Sequence, residues 1–340
     1  MKAAIYNPYL NTLGGGERYT LGVIKTLLNK GYSVDIEWKD EEIRNKLENR
    51  FGIDLKKVNF VNSIKRGDKY DFCFWISDGS IPTLMARKNI LHFQIPFSGL
   101  NSKTLINRMK LFRISKIVCN SNFTKNIIDK EYGVDSIVIF PPVDIENLKP
   151  KRKENIILFV GRFSQLKQVK GQDILISSFK KFYNKGYSSW KLILAGGVEV
   201  GAGEYLENLE KQIKGYPIEI IKSPDYKSLK DLYGKAKIFW SAVGFGQDDN
   251  KNPEKVEHFG ISVVEAMASG AVPIVYNAGG HKEIIKDWKN GFLWNTGNNL
   301  IKITCDLIDK NGFSKITKQL NTEVQKYSYK EFENSFSKVL

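Results

Sequence analysis

Along this chain, short runs rich in Ile, Val, Leu and Phe alternate with stretches in which apolar residues recur every three or four positions. That alternation predicts a parallel sheet flanked by helices. Strands are expected over residues 3–6, 33–37, 72–76, 90–93, 116–119 and 137–140. Helices are expected over 17–30 and 122–132, the second with Asn122 as its N-cap and Gly133 just past its end. Residues 141–155 hold three prolines and no clear period, which makes them the best linker. A second series then follows, with strands at 156–160, 191–195, 218–221, 238–240 and 272–276. Its helices are expected over 172–184, 205–214, 227–235 and 262–268. The pattern gives two successive doubly wound domains, with a cleft between them as the natural ligand site.

At 340 residues the chain is long enough for two cores. Its 42% hydrophobic and 26% charged residues are ordinary for a globular protein. No apolar run reaches the ~18–20 residues that span a bilayer, and the opening MKAAIYNPYL reads as a first strand rather than a signal peptide. Cys73, Cys119 and Cys305 stand far apart without metal-like spacing, as in a reducing compartment. A cytoplasmic location is expected.

The net charge is +15, with 23 Lys/Arg against 16 Asp/Glu in residues 1–150 and 29 against 21 in the rest. The excess therefore forms no tail. It fits a solvated lysine-rich surface, or attraction to anionic lipid or an anionic substrate. No nucleic-acid motif accompanies it. Residues 105–116 (LINRMKLFRISK) mix Leu, Met, Phe and Ile with Arg108, Lys110, Arg113 and Lys116, and Lys103 stands just ahead. Such a helix can rest on an anionic membrane, or cover a core while its cations snorkel.

Three segments carry chemistry. Gly14-Gly15-Gly16-Glu17-Arg18 follows the first strand and opens a helix, where glycines let backbone N–H groups approach an anion. It is neither GxGxxG nor a P-loop, which disfavours a dinucleotide-dependent dehydrogenase. Gly161-Arg162 follows the strand at 156–160, and Lys170-Gly171-Gln172-Asp173 opens the next helix. A guanidinium and an ammonium there can neutralise a diphosphate and the charge that grows as a bond to phosphate breaks. The third segment, Glu257-His258-Phe259-Gly260-Ile261-Ser262-Val263-Val264-Glu265, sets two carboxylates around a helix start. Gly260 and Ile261 would offer N–H groups to phosphate or sugar hydroxyls. Ser262-x-x-Glu265 also matches a capping box.

Together GGGER, GR…KG, EHFGISVVEAMASGAVPIVYNAGGHKEII and NGFLW resemble glycosyltransferase family 4, over nearly the whole chain. EHFGI, SNFTKNII and VIFPPVD are similar to lipid-linked-oligosaccharide mannosyltransferases and their bacterial relatives. The resemblance implies a GT-B fold, two Rossmann-like doubly wound α/β domains facing a central cleft. Residues 1–148 would bind the acceptor, with helix 326–340 packing back on them, and residues 149–325 would bind the nucleotide sugar. Gly15 and Gly16 would line the phosphate and sugar side, while Arg162 and Lys170 would hold the diphosphate. Glu257 would face the donor sugar with Phe259, Gly260 and Ile261, and Glu265 would bind the ribose. His92 would lie beside the transferred sugar; read alone, it is a buried histidine at a strand end. The gap from Arg162 to Lys170 is about two residues longer than the commonest family version, which brings in Lys167; Gly171-Gln172-Asp173 favours Lys170.

The implied activity is retaining transfer of a hexose, mannose over other sugars, from a nucleotide diphosphate donor to a glycan or lipid-linked acceptor. It would need no metal and no cofactor beyond the donor substrate. A phosphorylase or donor hydrolase, and a silent nucleotide-sugar-binding protein, are the alternatives. The loop at 241–254 shapes a pocket or is a surface insertion; the sequence does not rank these.

Overall fold

The computed structural model describes residues 1–165 and 168–340, so Lys167 lies outside the described residues. The chain divides into two compact units, Met1–Pro142 with Tyr327–Leu340, and Val143–Lys326. In the first unit the elements run β1 (Lys2–Tyr6), α1 (Gly15–Asn29), β2 (Ser33–Glu37), α2 (Ile43–Phe51), β3 (Val58–Val61), β4 (Phe72–Ile76), β5 (Lys88–Phe93), α3 (Leu105–Leu111), β6 (Lys116–Cys119), α4 (Asn122–Tyr132) and β7 (Ile137–Val138). The strands form one parallel sheet in the order β3-β2-β1-β4-β5-β6-β7.

In the second unit come β8 (Glu154–Val160), α5 (Gln172–Tyr183), β9 (Lys191–Gly196), α6 (Gly203–Gln212), β10 (Ile218–Lys222), α7 (Tyr226–Lys235), β11 (Ala236–Ser241), α8 (Ile261–Ala268), β12 (Val272–Tyr276), α9 (His281–Ile284), β13 (Phe292–Trp294), α10 (Gly297–Asp309) and α11 (Phe313–Val324). Their parallel sheet has the order β10-β9-β8-β11-β12-β13. A final helix, α12 (Tyr329–Ser337), returns to the first unit. In each sheet the order reverses beside the first strand, between β1 and β4 and between β8 and β11. Ligands of such sheets bind at the carboxyl ends of the strands at that reversal.

Burial explains the elements. The central strands are apolar on both faces because helices cover both, as in Ile156–Phe159 and Ile238–Trp240. On α5, Leu175, Ile176, Phe179 and Phe182 repeat at helical spacing and are all buried. On α12, Phe332 and Phe336 enter the first core, where Phe332 meets the edge of Tyr19 at 5.1 Å and Phe336 that of Phe74 at 5.9 Å.

Several expectations are corrected. The cap of α4 is Ser121, whose hydroxyl accepts from the Thr124 N–H at 3.0 Å; Asn122 is already inside the helix. Ser262 caps nothing: α8 starts from Gly260, left-handed at φ 112°. Gly260 has no side chain to cap with, so a capping box has no place there. The helix expected over 105–116 stops at Leu111, because Lys116 pairs into β6. No residue of that helix is fully buried, and Leu111 packs against the core cluster of Leu91 and Phe93. Periodicity also passed over α2, β3, β13, α10 and α11.

Candidate functional site

In the second unit, the carboxyl end of β8 carries Gly161 and Arg162. The turn is fixed by close backbone contact: a Cβ on Gly196, at the end of β9, would lie 1.9 Å from the Gly161 carbonyl. The buried Gln172 side chain donates to the Arg162 carbonyl at 2.8 Å and accepts from the Tyr205 hydroxyl at 3.0 Å. The Arg162 main chain is thereby pinned while its half-exposed guanidinium stands 3.7 Å from Glu199. Gly171 takes φ 69°, and a Cβ there would meet Ala242 at 2.8 Å. Only glycine fits, and it aims Lys170 at the site.

Lys170 lies 3.7 Å from the Glu257 carboxylate and also donates to Gln168. Burial pushes the Lys170 ammonium below the ordinary lysine range; Glu257 opposes this and Arg162 adds to it. Burial pushes the Glu257 carboxyl up, but Lys170, His281, His258 and the Phe259 N–H outweigh it, so its pKa falls below the usual value. Glu257 is therefore ionised at neutral pH.

Phe259 is buried, Gly260 turns left-handed, and Ile261 opens α8. One turn on, Glu265 is buried and accepts from the Tyr233 hydroxyl at 2.7 Å. The structure thus brings Arg162, Lys170 and Glu257 together, with Gly260 and Ile261 following on the chain.

Sequence reasoning missed the turn that supports Glu257. The Gly280 N–H donates to the Glu257 carbonyl at 2.7 Å, and a Cβ on Gly279 would lie 2.3 Å from that oxygen. His281 is fully buried; its Nδ1 bonds the Tyr276 carbonyl at 2.9 Å, and Nε2 has no partner. Burial lowers its pKa against the pull of Glu257. Asp249, from the 241–254 loop, accepts from the Gly279 N–H at 3.2 Å and pairs with Lys282 at 2.6 Å. The loop clamps the Gly-Gly-His turn, which settles its place beside the site. Paired glycines after a strand were the signal available.

In the first unit, Glu17 organises GGGER. It is buried and accepts from the Gly14 N–H at 2.6 Å, the Thr12 hydroxyl at 2.7 Å and Asn7 at 3.3 Å. Gly15 begins α1, and a Cβ on Gly16 would meet the Gln94 amide oxygen at 2.6 Å. His92 is fully buried at the end of β5, stacked on Tyr19 at 3.9 Å, with Nδ1 3.0 Å from the Val118 carbonyl and Nε2 unpartnered. Burial lowers its pKa to about 3, so it is neutral. This is the buried histidine of the plain reading, with no surface offered to a substrate. Among the described residues no cluster of His, Cys, Asp and Glu could hold a metal, and no helix is long and apolar enough to cross a membrane.

The family Glycosyl transferases group 1 matches residues 142–306. A GDP-Man:Man(3)GlcNAc(2)-PP-Dol alpha-1,2-mannosyltransferase of Dictyostelium discoideum is 27% identical over 239 residues, 64% of this chain and 45% of that protein. An alpha-1,3/1,6-mannosyltransferase of Kluyveromyces lactis is 26% identical, over 84% of this chain and 71% of that protein. The chain spans about half the length of several such relatives. Among solved structures, Anabaena HepE in complex with UDP and glucose aligns over 99% of this chain and 98% of its own, with TM-score 0.77 at 18% identity. A glycosyltransferase of Rickettsia africae aligns over 99% and 97%, with TM-score 0.78 at 19% identity. Residues 142–306 are thus similar to the group 1 glycosyl transferases, and the chain has the GT-B fold of these solved structures.

Proposed function

We propose that this enzyme transfers a hexose, mannose before others, from a nucleoside diphosphate sugar to a glycan or lipid-linked acceptor with retention of configuration. The observation that carries the reading is the largely buried Lys170–Glu257 pair beside Arg162, which stands at the carboxyl end of β8. Two cations beside a left-handed helix start suit a diphosphate, and an ionised carboxylate between them and the sugar suits hydroxyl groups. GDP-mannose is named for the curated relatives and UDP-glucose for HepE; the closer sequence likeness favours GDP.

In the proposed step the bond from C1 to the phosphate oxygen breaks while the acceptor oxygen bonds C1 on the same face. The acceptor proton passes to the departing phosphate oxygen, and Arg162 and Lys170 offset the charge left on the diphosphate. Glu257 and the N–H groups of Phe259, Gly260 and Ile261 steady the sugar. Glu265, already oriented by Tyr233, takes the ribose. Gly15 and Gly16 line the sugar side in the first unit. His92 enters this proposal as a neutral, buried ring stacked on Tyr19 at the end of β5. No metal takes part.

The enzyme is proposed to work in the cytoplasm at an anionic membrane. On α3 and just after it, Leu105, Ile106, Met109 and Phe112 are 64–90% exposed. The test of the chemistry is turnover of GDP-mannose with a simple acceptor, in EDTA, with the product anomer read by NMR. The donor's configuration is expected in the product. The inverted anomer, or a strict need for magnesium, overturns the proposal.

A further inference from the structure

The loop at 241–254 is anchored on the second unit by an aromatic side chain. Phe245 meets Tyr276 of β12 and Trp294 of β13, each at 5.4 Å between ring centroids. Beyond it Asp248 closes a tight turn: its carboxylate accepts the Asn250 N–H at 2.9 Å and its carbonyl the Asn252 N–H at 2.8 Å. That turn presents Asp249 to the Gly279–Gly280 segment that follows β12.

Asp249 joins two points of that segment. One of its carboxylate oxygens accepts the Gly279 N–H at 3.2 Å and pairs with the Lys282 ammonium at 2.6 Å. The Asp249 side chain is 18% exposed and that of Lys282 46%. Burial pushes the Asp249 carboxyl up, but Lys282 and the Gly279 N–H outweigh it, so the group is ionised at neutral pH. A half-exposed ion pair contributes little by itself; its importance lies in what it holds. Paired glycines lose the most backbone freedom on folding and have no side chain to fix them. Neither can be replaced here: a Cβ on Gly279 would lie 2.7 Å from Val256, and one on Gly280 2.6 Å from the Phe259 Cα. A charge-assisted bond from outside fixes them instead.

The glycines in their place hold the main chain of Glu257. The Gly280 N–H donates to the Glu257 carbonyl at 2.7 Å, and Gly260, three residues on, starts α8. The contacts therefore run from Asp249 through Gly279 and Gly280 to Glu257. The two cations have supports of their own. Arg162 is pinned through Gln172, and Lys170 keeps Gln168 as a partner besides Glu257.

We infer that Asp249 is a positioning residue for the sugar: through the Gly279–Gly280 turn it sets the Glu257 carboxylate against the sugar hydroxyls, and it governs affinity for the sugar rather than for the diphosphate. The inference rests on the donor reading, in which Glu257 faces the sugar, and adds the residue that aims it.

The test is isothermal titration of the full chain with GDP, GDP-mannose, UDP and UDP-glucose. Asp249→Ala should bind the preferred nucleotide sugar about tenfold more weakly and the matching diphosphate within about twofold of wild type. Asp249→Asn keeps an oxygen for the Gly279 N–H and should stay within about threefold. Lys282→Met, at a half-exposed position, loosens the same clamp and should weaken only the nucleotide sugar, about threefold. Glu257→Gln supplies the decisive background: if Asp249 acts through Glu257, adding Asp249→Ala there should cost less than about twofold more. A cooperative melt shows that each variant is folded, and Lys282→Met carries the test should Asp249→Ala not fold. Equal losses for diphosphate and nucleotide sugar, full additivity with Glu257→Gln, or undiminished sugar affinity in the clamp variants overturns the inference alone. A wild-type chain that binds no nucleoside diphosphate overturns the donor reading, and the inference with it.

Discussion

The Lys170 ammonium stands 3.7 Å from the Glu257 carboxylate, and the two side chains are only 13% and 17% exposed. Each charge is held by the other against the cost of leaving water. Burial wins for Lys170, whose pKa is depressed, and the surrounding positive groups win for Glu257. A depressed ammonium loses its proton at lower pH than an ordinary lysine, so its grip on a diphosphate fails earlier on the alkaline side. Lys170→Arg does not titrate in this range. It is expected to keep kcat/KM level to higher pH than the wild type, at a lower plateau. Lys170→Ala is expected to lose about 10²–10³-fold at every pH. The pH profile of kcat/KM measures both.

The same pair has an acid-side consequence. Glu257 has a folded pKa below its unfolded value, so its contribution to stability is present above the ordinary carboxylate range and fades as pH falls through the lowered value.

Tyr233 is the partner of Glu265, donating at 2.7 Å inside the second unit. Tyr233→Phe removes the donor and is expected to cost about 1–3 kcal/mol of stability, as for a buried acceptor left short of a bond. With the carboxylate less firmly oriented, KM for the donor should rise more than kcat falls. Chemical denaturation and steady-state kinetics separate the two effects.

In the first unit, α12 is part of the core. Phe336 is fully buried against Phe72 and Phe74. Phe336→Ala is expected to cost about 3–5 kcal/mol. Removing residues from Tyr327 onward should lower the melting temperature and reduce turnover further than it reduces nucleotide binding. Calorimetry on the truncated chain reads both.

The outward face of α3 gives a membrane prediction. Leu105, Ile106, Met109 and Phe112 share one side of the helical wheel, while Leu111 turns inward against the Leu91 and Phe93 cluster. Arg108 is exposed alongside. Co-sedimentation should be greater with phosphatidylserine vesicles than with phosphatidylcholine vesicles, and Phe112→Asp should reduce it about tenfold. Indifference to lipid charge would remove the membrane from the account.

Much of the fold was legible because apolar runs mark buried parallel strands without further information. Arg162 and Lys170 stand out in the sequence too, each beside a glycine at a strand end or ahead of a helix start, and Glu257 stands three residues before Gly260. What could not be read was proximity across the fold. Gly196 matters because Gly161 touches it, and Gly280 because Glu257 does; neither pairing has a signature in spacing. Glu17 was taken as part of a glycine motif, although its burial makes it the brace of that motif. The capping box at Ser262 looked sound locally, but Gly260 can adopt the left-handed start that a serine cap would otherwise supply. His92 shows the converse: its burial and its stack on Tyr19 depend on contacts across the fold that no local pattern announces.

The most direct measurement is isothermal titration of the wild-type chain, Arg162→Ala and Lys170→Ala with GDP, UDP, ADP and their sugars. The account predicts preferential binding of one diphosphate, GDP foremost, and at least tenfold weaker binding in each variant. Undiminished affinity in both variants would contradict it.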